Sequence, residues 1–236
     1  MNTSHAQQAV ISRKPLDWAA MAAQKIIESG EKLRIVQESE RLKIRPAYFE
    51  QGIAHALPHI VLRESVAARL QQAADGMPSG FGLLVLDGWR PIAVQQALRA
   101  QFRQTIVAQH PNWTAEQVLA ELNDFVADPD NAAMCPPHNT GGSVDVTLLD
   151  LATGKAVEMG TAFDETHERS HSAALEVQTA ACDERARIAR RVLIHGMAAA
   201  GFSNLPTEWW HFDYGNQNWA YFYDESHAIY GQASFE

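Results

Sequence analysis

Four side chains in two short segments have the types needed to hold a metal ion and move a proton. Near the C-terminus the chain reads Glu208-Trp209-Trp210-His211. Upstream it reads His138-Asn139-Thr140-Gly141-Gly142-Ser143-Val144-Asp145. Two imidazoles and one carboxylate form a set that can bind zinc and leave a fourth position open for water. Glu208, three residues before the last His, is a candidate general base beside such a site. The chemistry this allows is hydrolysis by an activated water. Gly141 and Gly142 let the chain turn sharply, so His138 and Asp145 can converge from either side of a bend.

Each of these residues also has a plainer reading. A lone His among Trp209, Trp210 and Phe212 is more often a core residue with one hydrogen bond, and a lone Glu is more often solvated. In a regular strand the odd spacing of Glu208 and His211 puts them on opposite faces. If both serve one site, Glu208 precedes the strand or sits at a bulge, which Pro206 and Thr207 make reasonable. Two rival pairs exist. His167 and His171 are four apart, a helical metal spacing. His55 and His59 share that spacing, but Pro58 between them disfavours a regular helix. Neither pair has an obvious third ligand and base nearby. His5, His110, His195 and His227 give no signal. Cys135 and Cys182, the only cysteines, do not suggest a disulfide framework. Cys135, three residues before His138, reads as a small buried apolar residue rather than a ligand.

The elements that must position these residues follow from periodicity. Gly82 to Leu86 is an apolar run that reads as a buried strand. It ends in the turn Asp87-Gly88-Trp89-Arg90-Pro91, with Pro at a first helical position. Val94, Leu98, Phe102 and Ile106 then mark one face of a helix. Thr114 and Gln117 fit a capping box ahead of a second stripe, Val118, Leu119, Leu122, Phe125 and Val126. Residues 128–141 read as loop. From Ser143 the chain alternates: Val144, Val146 and Leu148 face one way, and Asp145 lies on the less apolar face, suited to a polar cleft. Further helices are expected over Asp17–Ser29, Ser65–Ala74 and about Ser172–Ala200. Gly201 stops the last, and Arg185, Arg187, Arg190 and Arg191 form its solvated face. Glu208 to Tyr214 reads as a strand. The pattern is α+β, without regular βαβ alternation.

The bounds are consistent with this. The chain has 236 residues, 46% hydrophobic and 20% charged, ordinary values for a folded protein. The formal net charge of −9 argues against a nucleic-acid partner, which needs clustered Lys and Arg. No apolar run reaches the roughly 18–20 residues needed to span a bilayer. Met1 to Lys14 is polar and lacks the apolar stretch of a secretory signal. The expected compartment is the cytoplasm. Residues 1–14 read as a loose arm, with one domain over 15–236. No oligomeric state is legible.

His138-x6-Asp145 and Glu208-Trp209-Trp210-His211, with Asp87-Gly88-Trp89-Arg90-Pro91 upstream, resemble the zinc-dependent D-alanyl-D-alanine dipeptidases, a family that includes the vancomycin-resistance dipeptidase. Met159-Gly160-Thr161-x-Phe163-Asp164, followed by Arg169-Ser170-His171, also looks like a family segment. The matching stretches run from about Leu83 to His211 in the family's order. The resemblance implies one Zn2+ ion held by His138, Asp145 and His211, with Glu208 as catalytic base. It implies Arg90 as oxyanion stabiliser and Asp164 as receiver of the substrate's ammonium group, and it leaves His171 structural. It also implies a single domain with a mainly antiparallel sheet flanked by helices, shared with zinc D,D-carboxypeptidases and the hedgehog signalling domain. Two positions depart from the pattern: Pro136 stands where the family usually has Ser, and Ser143 where it has Ala. The alternatives are a D,D- or L,D-carboxypeptidase acting on peptidoglycan stem peptides, and a non-catalytic zinc-stabilised binding module. Asp164 speaks against the first, and Glu208 with Arg90 against the second.

Overall fold

The structure, a computed structural model, describes residues 4–125, 128, 131, 134–165, 167–177 and 183–235. In chain order the elements are α1 (Ser4–Gln7), α2 (Trp18–Ala22), β1 (Leu33–Ile35), β2 (Leu42–Ile44), α3 (Ala47–Glu50), β3 (Val61–Arg63), α4 (Glu64–Gly76) and β4 (Phe81–Asp87). There follow α5 (Ile92–Gln109), α6 (Ala115–Phe125), β5 (Ser143–Asp150), β6 (Lys155–Ala156), α7 (Glu184–Ala199), β7 (Ser203–Asn204), β8 (His211–Asp213) and α8 (Gln217–Tyr223). The main sheet has the order β2-β4-β5-β8-β7, with β6 added to β5. Among the described residues of this sheet, only β2 and β4 pair in parallel. This is the α+β, mainly antiparallel architecture expected. Among the described residues no helix is long and apolar enough to cross a membrane.

The two faces of the sheet have different tasks. Leu83 and Val85 of β4, Val144, Val146 and Leu148 of β5, and Phe212 of β8 join one apolar core with Val66 and Leu70 of α4 and Leu193 and Met197 of α7. Truncating a fully buried member such as Leu70 or Leu193 costs about 2–5 kcal/mol. The alternate residues face the other way. There Leu84, Leu86 and Leu149 make a small second cluster with Ala47, and Asp145, His211 and Asp213 are aligned beside it. Period-two alternation thus puts the apolar side chains under α4 and α7 and the polar ones on the opposite face.

Local signals held where the partners were local. Thr114 and Gln117 form the reciprocal cap, Thr114 N to Gln117 Oε1 at 2.9 Å and Gln117 N to Thr114 Oγ1 at 3.3 Å. Ile106, Val118 and Leu122 close the α5–α6 hairpin. Val126 lies outside the described residues.

Three expectations are corrected. The helix over Asp17–Ser29 stops at Ala22. Its second half runs extended instead, with Ile27 N on Ala228 O at 2.8 Å and Ser29 N on Ile229 O at 2.9 Å. The helix over Ser172–Ala200 begins only at Glu184, after a 3₁₀ turn at Ala174–Glu176. Cys182 lies outside the described residues. Arg190 is not on a solvated face: it is 1% exposed. Its Nε donates to Met159 O at 2.7 Å and its Nη1 to His171 O at 2.8 Å, so it ties down the loop that carries Asp164. The N-terminal segment lies against the body. Val10 is buried, and its N–H donates to Glu176 Oε1 at 2.9 Å.

Candidate active site

Two registers assemble the site. β5 and β8 pair with Asp145 opposite His211 and Ser143 opposite Asp213. β4 and β5 pair regularly to Val85 and then shift, so that Asp87 comes opposite Asp145. The extra residue, Leu86, is a bulge of the kind that re-aims side chains at a strand end. His138 arrives on a 3₁₀ turn, Pro137–Thr140, which ends at Gly141 with φ 73°. Glycine adopts that left-handed backbone without strain, and a Cβ there would collide with Leu33.

His138, Asp145 and His211 converge. One donor atom from each lies within 4.8 Å of the others, and all three residues are buried. His138 Nε2 is 3.1 Å from His211 Nδ1 and 3.4 Å from Asp145 Oδ1, and His211 Nδ1 is 3.1 Å from Asp145 Oδ1. The outer ring nitrogens are spoken for. His138 Nδ1 lies 2.8 Å from the Gly88 carbonyl, so that nitrogen carries the proton and Nε2 offers a lone pair. His211 Nε2 lies 3.0 Å from Asp213 Oδ1. This leaves ring nitrogens and a carboxylate facing one another in a dry place, where like-polarity groups need a cation between them. In the metal-free chain a proton fills that need. Burial disfavours charge on His211, but Asp213 and Asp145 outweigh it and push the imidazole well above its ordinary range. Burial would raise Asp145, yet His138 and His211 hold it well below the usual carboxylate range. The three could hold a metal ion, which would displace that proton.

Glu208 precedes β8, in a turn where its N–H donates to Leu205 O at 3.0 Å. The turn resolves the odd spacing and brings Glu208 Oε2 to 3.8 Å from His211 Nδ1. Only His211–Asp213 is strand, so the expected strand over Glu208–Tyr214 is shorter at both ends. Burial pushes the Glu208 carboxyl up to about 7, with Asp145 and Asp164 adding like charge against the pull of His211 and His138.

Arg90 is 8% exposed. Its Nε and Nη2 donate to Asp87 Oδ2 at 3.0 and 2.7 Å, and its Nη1 to Gln95 Oε1 at 2.6 Å. Its own N–H donates to the His138 carbonyl at 3.1 Å, so guanidinium and imidazole are fixed to one frame. Burial works against its charge, but Asp87 and the groups around it hold it firmly protonated. The guanidinium lies over the Tyr48 ring, 4.9 Å from its centroid.

Asp164 has φ 65°, a left-handed backbone that Asp tolerates better than most residues. Its carboxylate opens into the cleft yet is walled in by protein. That crowding pushes it up to about 6, with Asp145 and Asp87 adding to the rise while Arg90 and a hydrogen bond from Tyr48 oppose it. An acid raised above its ordinary value near 3.9 favours folding fully below that value and loses the contribution as pH rises through about 6. In metal-free protein Asp164→Asn is therefore expected to raise the melting temperature above pH 6, with the gain gone by about pH 4. Solvent screening limits it to about 1 kcal/mol, or roughly 2–4 °C. A gain that is flat from pH 4 to 8 in thermal unfolding contradicts this assignment.

All six residues line one cavity of about 610 Å3, with Tyr48, Trp210 and the α5 face carrying Leu98 and Phe102. The rival histidines are elsewhere. His167 and His171 are exposed and not on a helix, and His167 bonds Glu165 at 2.7 Å. Sequence reasoning left Tyr48 without a role and missed Asp87, Asp213 and Gln95. His211 and Asp213 are two apart on one strand, a signal that could have found the latter. Asp213 is held in turn by Ser143 Oγ and Asn216 Nδ2, both at 2.6 Å, so Ser143 does work an alanine there could not.

Comparison with known proteins shows the family. The profile of a peptidase family described as D-ala-D-ala dipeptidase matches residues 52–231. A D-alanyl-D-alanine dipeptidase of Synechocystis sp. is 38% identical over 193 residues, 74% of this chain and 77% of its own. Proteins of the same name from Enterococcus faecium and Escherichia coli are 33% identical over 156 residues and 28% identical over 151 residues. These alignments cover 64% of this chain in both cases, and 69% and 64% of the respective relatives.

Proposed function

Since the chain belongs to the D-Ala-D-Ala dipeptidase family of peptidases, we propose that it is a zinc hydrolase that cleaves free D-Ala-D-Ala. The observation that carries this reading is the convergence of His138, Asp145 and His211, with Glu208 at 3.8 Å from His211, on the floor of one cavity. The donor set fits zinc. Tetrahedral ligands at bond lengths of about 2.0–2.1 Å stand about 3.3 Å apart, and the three donor atoms here are 3.1, 3.1 and 3.4 Å apart. The hydrogen bonds from the far nitrogens of both rings supply the outer support that such ligands need.

When bound, zinc lowers the pKa of a water and polarises a carbonyl. The chain's own groups do the rest. Glu208, at about 7 in the metal-free chain, is suited to take a proton from the attacking water and pass it to the leaving nitrogen. As the C–N bond breaks, that proton makes the leaving group a neutral amine. Arg90 faces the oxygen on which charge develops, and its pairing with Asp87 fixes the guanidinium in advance, which is where such stabilisation comes from. Asp164 pairs with the substrate's ammonium, an interaction an N-blocked or N-extended peptide cannot make. Trp210, which lines the cavity, packs edge-on against Phe163, 5.6 Å away.

The cavity exceeds what a dipeptide of eleven non-hydrogen atoms fills, since pockets of about 300–1,000 Å3 serve drug-sized ligands. The second reading, a carboxypeptidase acting on stem peptides, therefore stays in the test. The experiment is hydrolysis of free and N-acetylated D-Ala-D-Ala, before and after chelation and with zinc restored. The expected result is turnover of the free dipeptide that chelator abolishes and zinc recovers, with the acetylated analogue at least about tenfold poorer. Equal kcat/KM for the two favours the carboxypeptidase. Turnover that resists chelation removes the metal from the reaction.

A further inference from the structure

The cavity extends beyond the catalytic cluster to a wall formed by α2 and α8, where Trp18, Ala22 and Asn218 line it. Asn218 is 1% exposed. Its Nδ2 donates to Asp213 Oδ2 at 3.1 Å. Its Oδ1 is buried and has no hydrogen-bond partner. The orientation of the amide is settled by chemistry: a carboxylate oxygen only accepts, so the NH2 must face Asp213 and the carbonyl oxygen must face away. A buried acceptor left without a donor is costly, and native proteins keep few of them. Here the acceptor belongs to a residue that lines the substrate cavity.

We propose that Asn218 is a specificity residue whose Oδ1 accepts a hydrogen bond from the side chain of the substrate's second residue. This rests on the dipeptidase reading. The placement follows from the sheet. Asp164 lies with Tyr48 and Arg90 at the β4 side, where the substrate's amino terminus is held. Asn218 hangs from Asp213 at the β8 side, beyond His211. A dipeptide with its ammonium at Asp164 and its carbonyl over the ligand cluster extends its second residue toward α8. On that reading the ammonium is committed to Asp164, the scissile carbonyl to the ligand cluster and Arg90, and the scissile nitrogen to Glu208. The carboxylate has no donor, so the donor Asn218 receives comes from that second side chain. The class of substrate it favours is D-Ala-D-Xaa in which Xaa carries an O–H or N–H on a short side chain. D-Alanine has none and leaves the acceptor unpaired.

Near-isosteric pairs test this: D-Ala-D-Ser against D-Ala-D-2-aminobutyrate, and D-Ala-D-Asn against D-Ala-D-Leu. For the zinc-loaded full chain, kcat/KM is expected to favour the donor-bearing member of at least one pair by about three- to tenfold, the usual worth of one neutral hydrogen bond. Asn218→Ala is expected to bring that ratio to one or below. The ratio is read within each protein, so a loss of metal or stability through Asp213 lowers both members and leaves it unmoved. Thermal unfolding and zinc content confirm that the variant is folded and loaded. Should the variant fail to load, Asn218→Ser, with its shorter hydroxyl, is read the same way. A wild-type ratio of one or below in both pairs overturns the proposal, as does a ratio the variants retain. Failure of all four dipeptides while D-Ala-D-Ala is cleaved also overturns the proposal, whereas failure of D-Ala-D-Ala as well overturns the dipeptidase reading itself.

Discussion

On the proposed zinc-hydrolase reading, Glu208→Gln is expected to keep the bound metal and lose turnover by about 100- to 10,000-fold, the usual contribution of a positioned general base. The substitution preserves the size of the side chain and removes its capacity to take a proton. Metal retention is expected because Glu208 is not one of the three converging donors, although Oε2 comes within 3.8 Å of His211. His211 keeps its hold on Asp213, and His138 keeps its hold on Gly88. The loss is expected in kcat with little change in KM, since the proton moves only as the transition state forms. Two measurements decide it: zinc per chain by elemental analysis, and kcat on D-Ala-D-Ala. Turnover within a few-fold of wild type removes Glu208 from the mechanism. Loss of zinc in proportion to turnover makes it a ligand instead of a base.

On the same proposed reading, Arg90→Ala is expected to lose about 100- to 1,000-fold in turnover, the cost of removing one oxyanion donor. Unlike Glu208→Gln it should also be unstable. Asp87 is then left without its partner in a nearly dry place, beside His138 Nδ1 at 3.4 Å, and breaking a buried pair from one side costs about 3–5 kcal/mol. The two effects separate in the double variant Arg90→Ala/Asp87→Asn. Removing the stranded charge should recover most of the stability, read by denaturant unfolding, and none of the turnover. If the double variant regains turnover along with stability, Arg90 acts only by holding Asp87 and, through it, His138. Arg90→Lys keeps the charge but loses the fork that spans Asp87 and Gln95, so it should fall between wild type and alanine.

The sequence by itself determined the chemical content of this protein. It named the converging donors, because His138, Asp145 and His211 occur in segments whose residue types suit zinc and whose order matches a known family. It placed Asp145 on the polar face of its strand, because alternation is written in consecutive residues and needs no partner to be read. It located the α5–α6 hairpin for the same reason: helix faces and the Thr114–Gln117 cap are short-range.

The tertiary structure decided what depends on residues far apart in the chain. Asp145 meets His211 because β5 and β8 pair in one register, and a slip of one residue would have turned every side chain to the other face. Asp87 reaches Arg90 and His138 because β4 bulges at Leu86, which no local pattern announces. The segment after Ala22 is extended because its hydrogen bonds go to Ala228 and Ile229, some two hundred residues away, and these overrode its helical composition. Arg190 is buried because carbonyls of a distant loop, Met159 and His171, solvate its charge in place of water. Periodicity states which face of an element is apolar. Only packing states which face it meets, and the Asp213 and Asn218 shell around His211 exists through that second kind of fact alone.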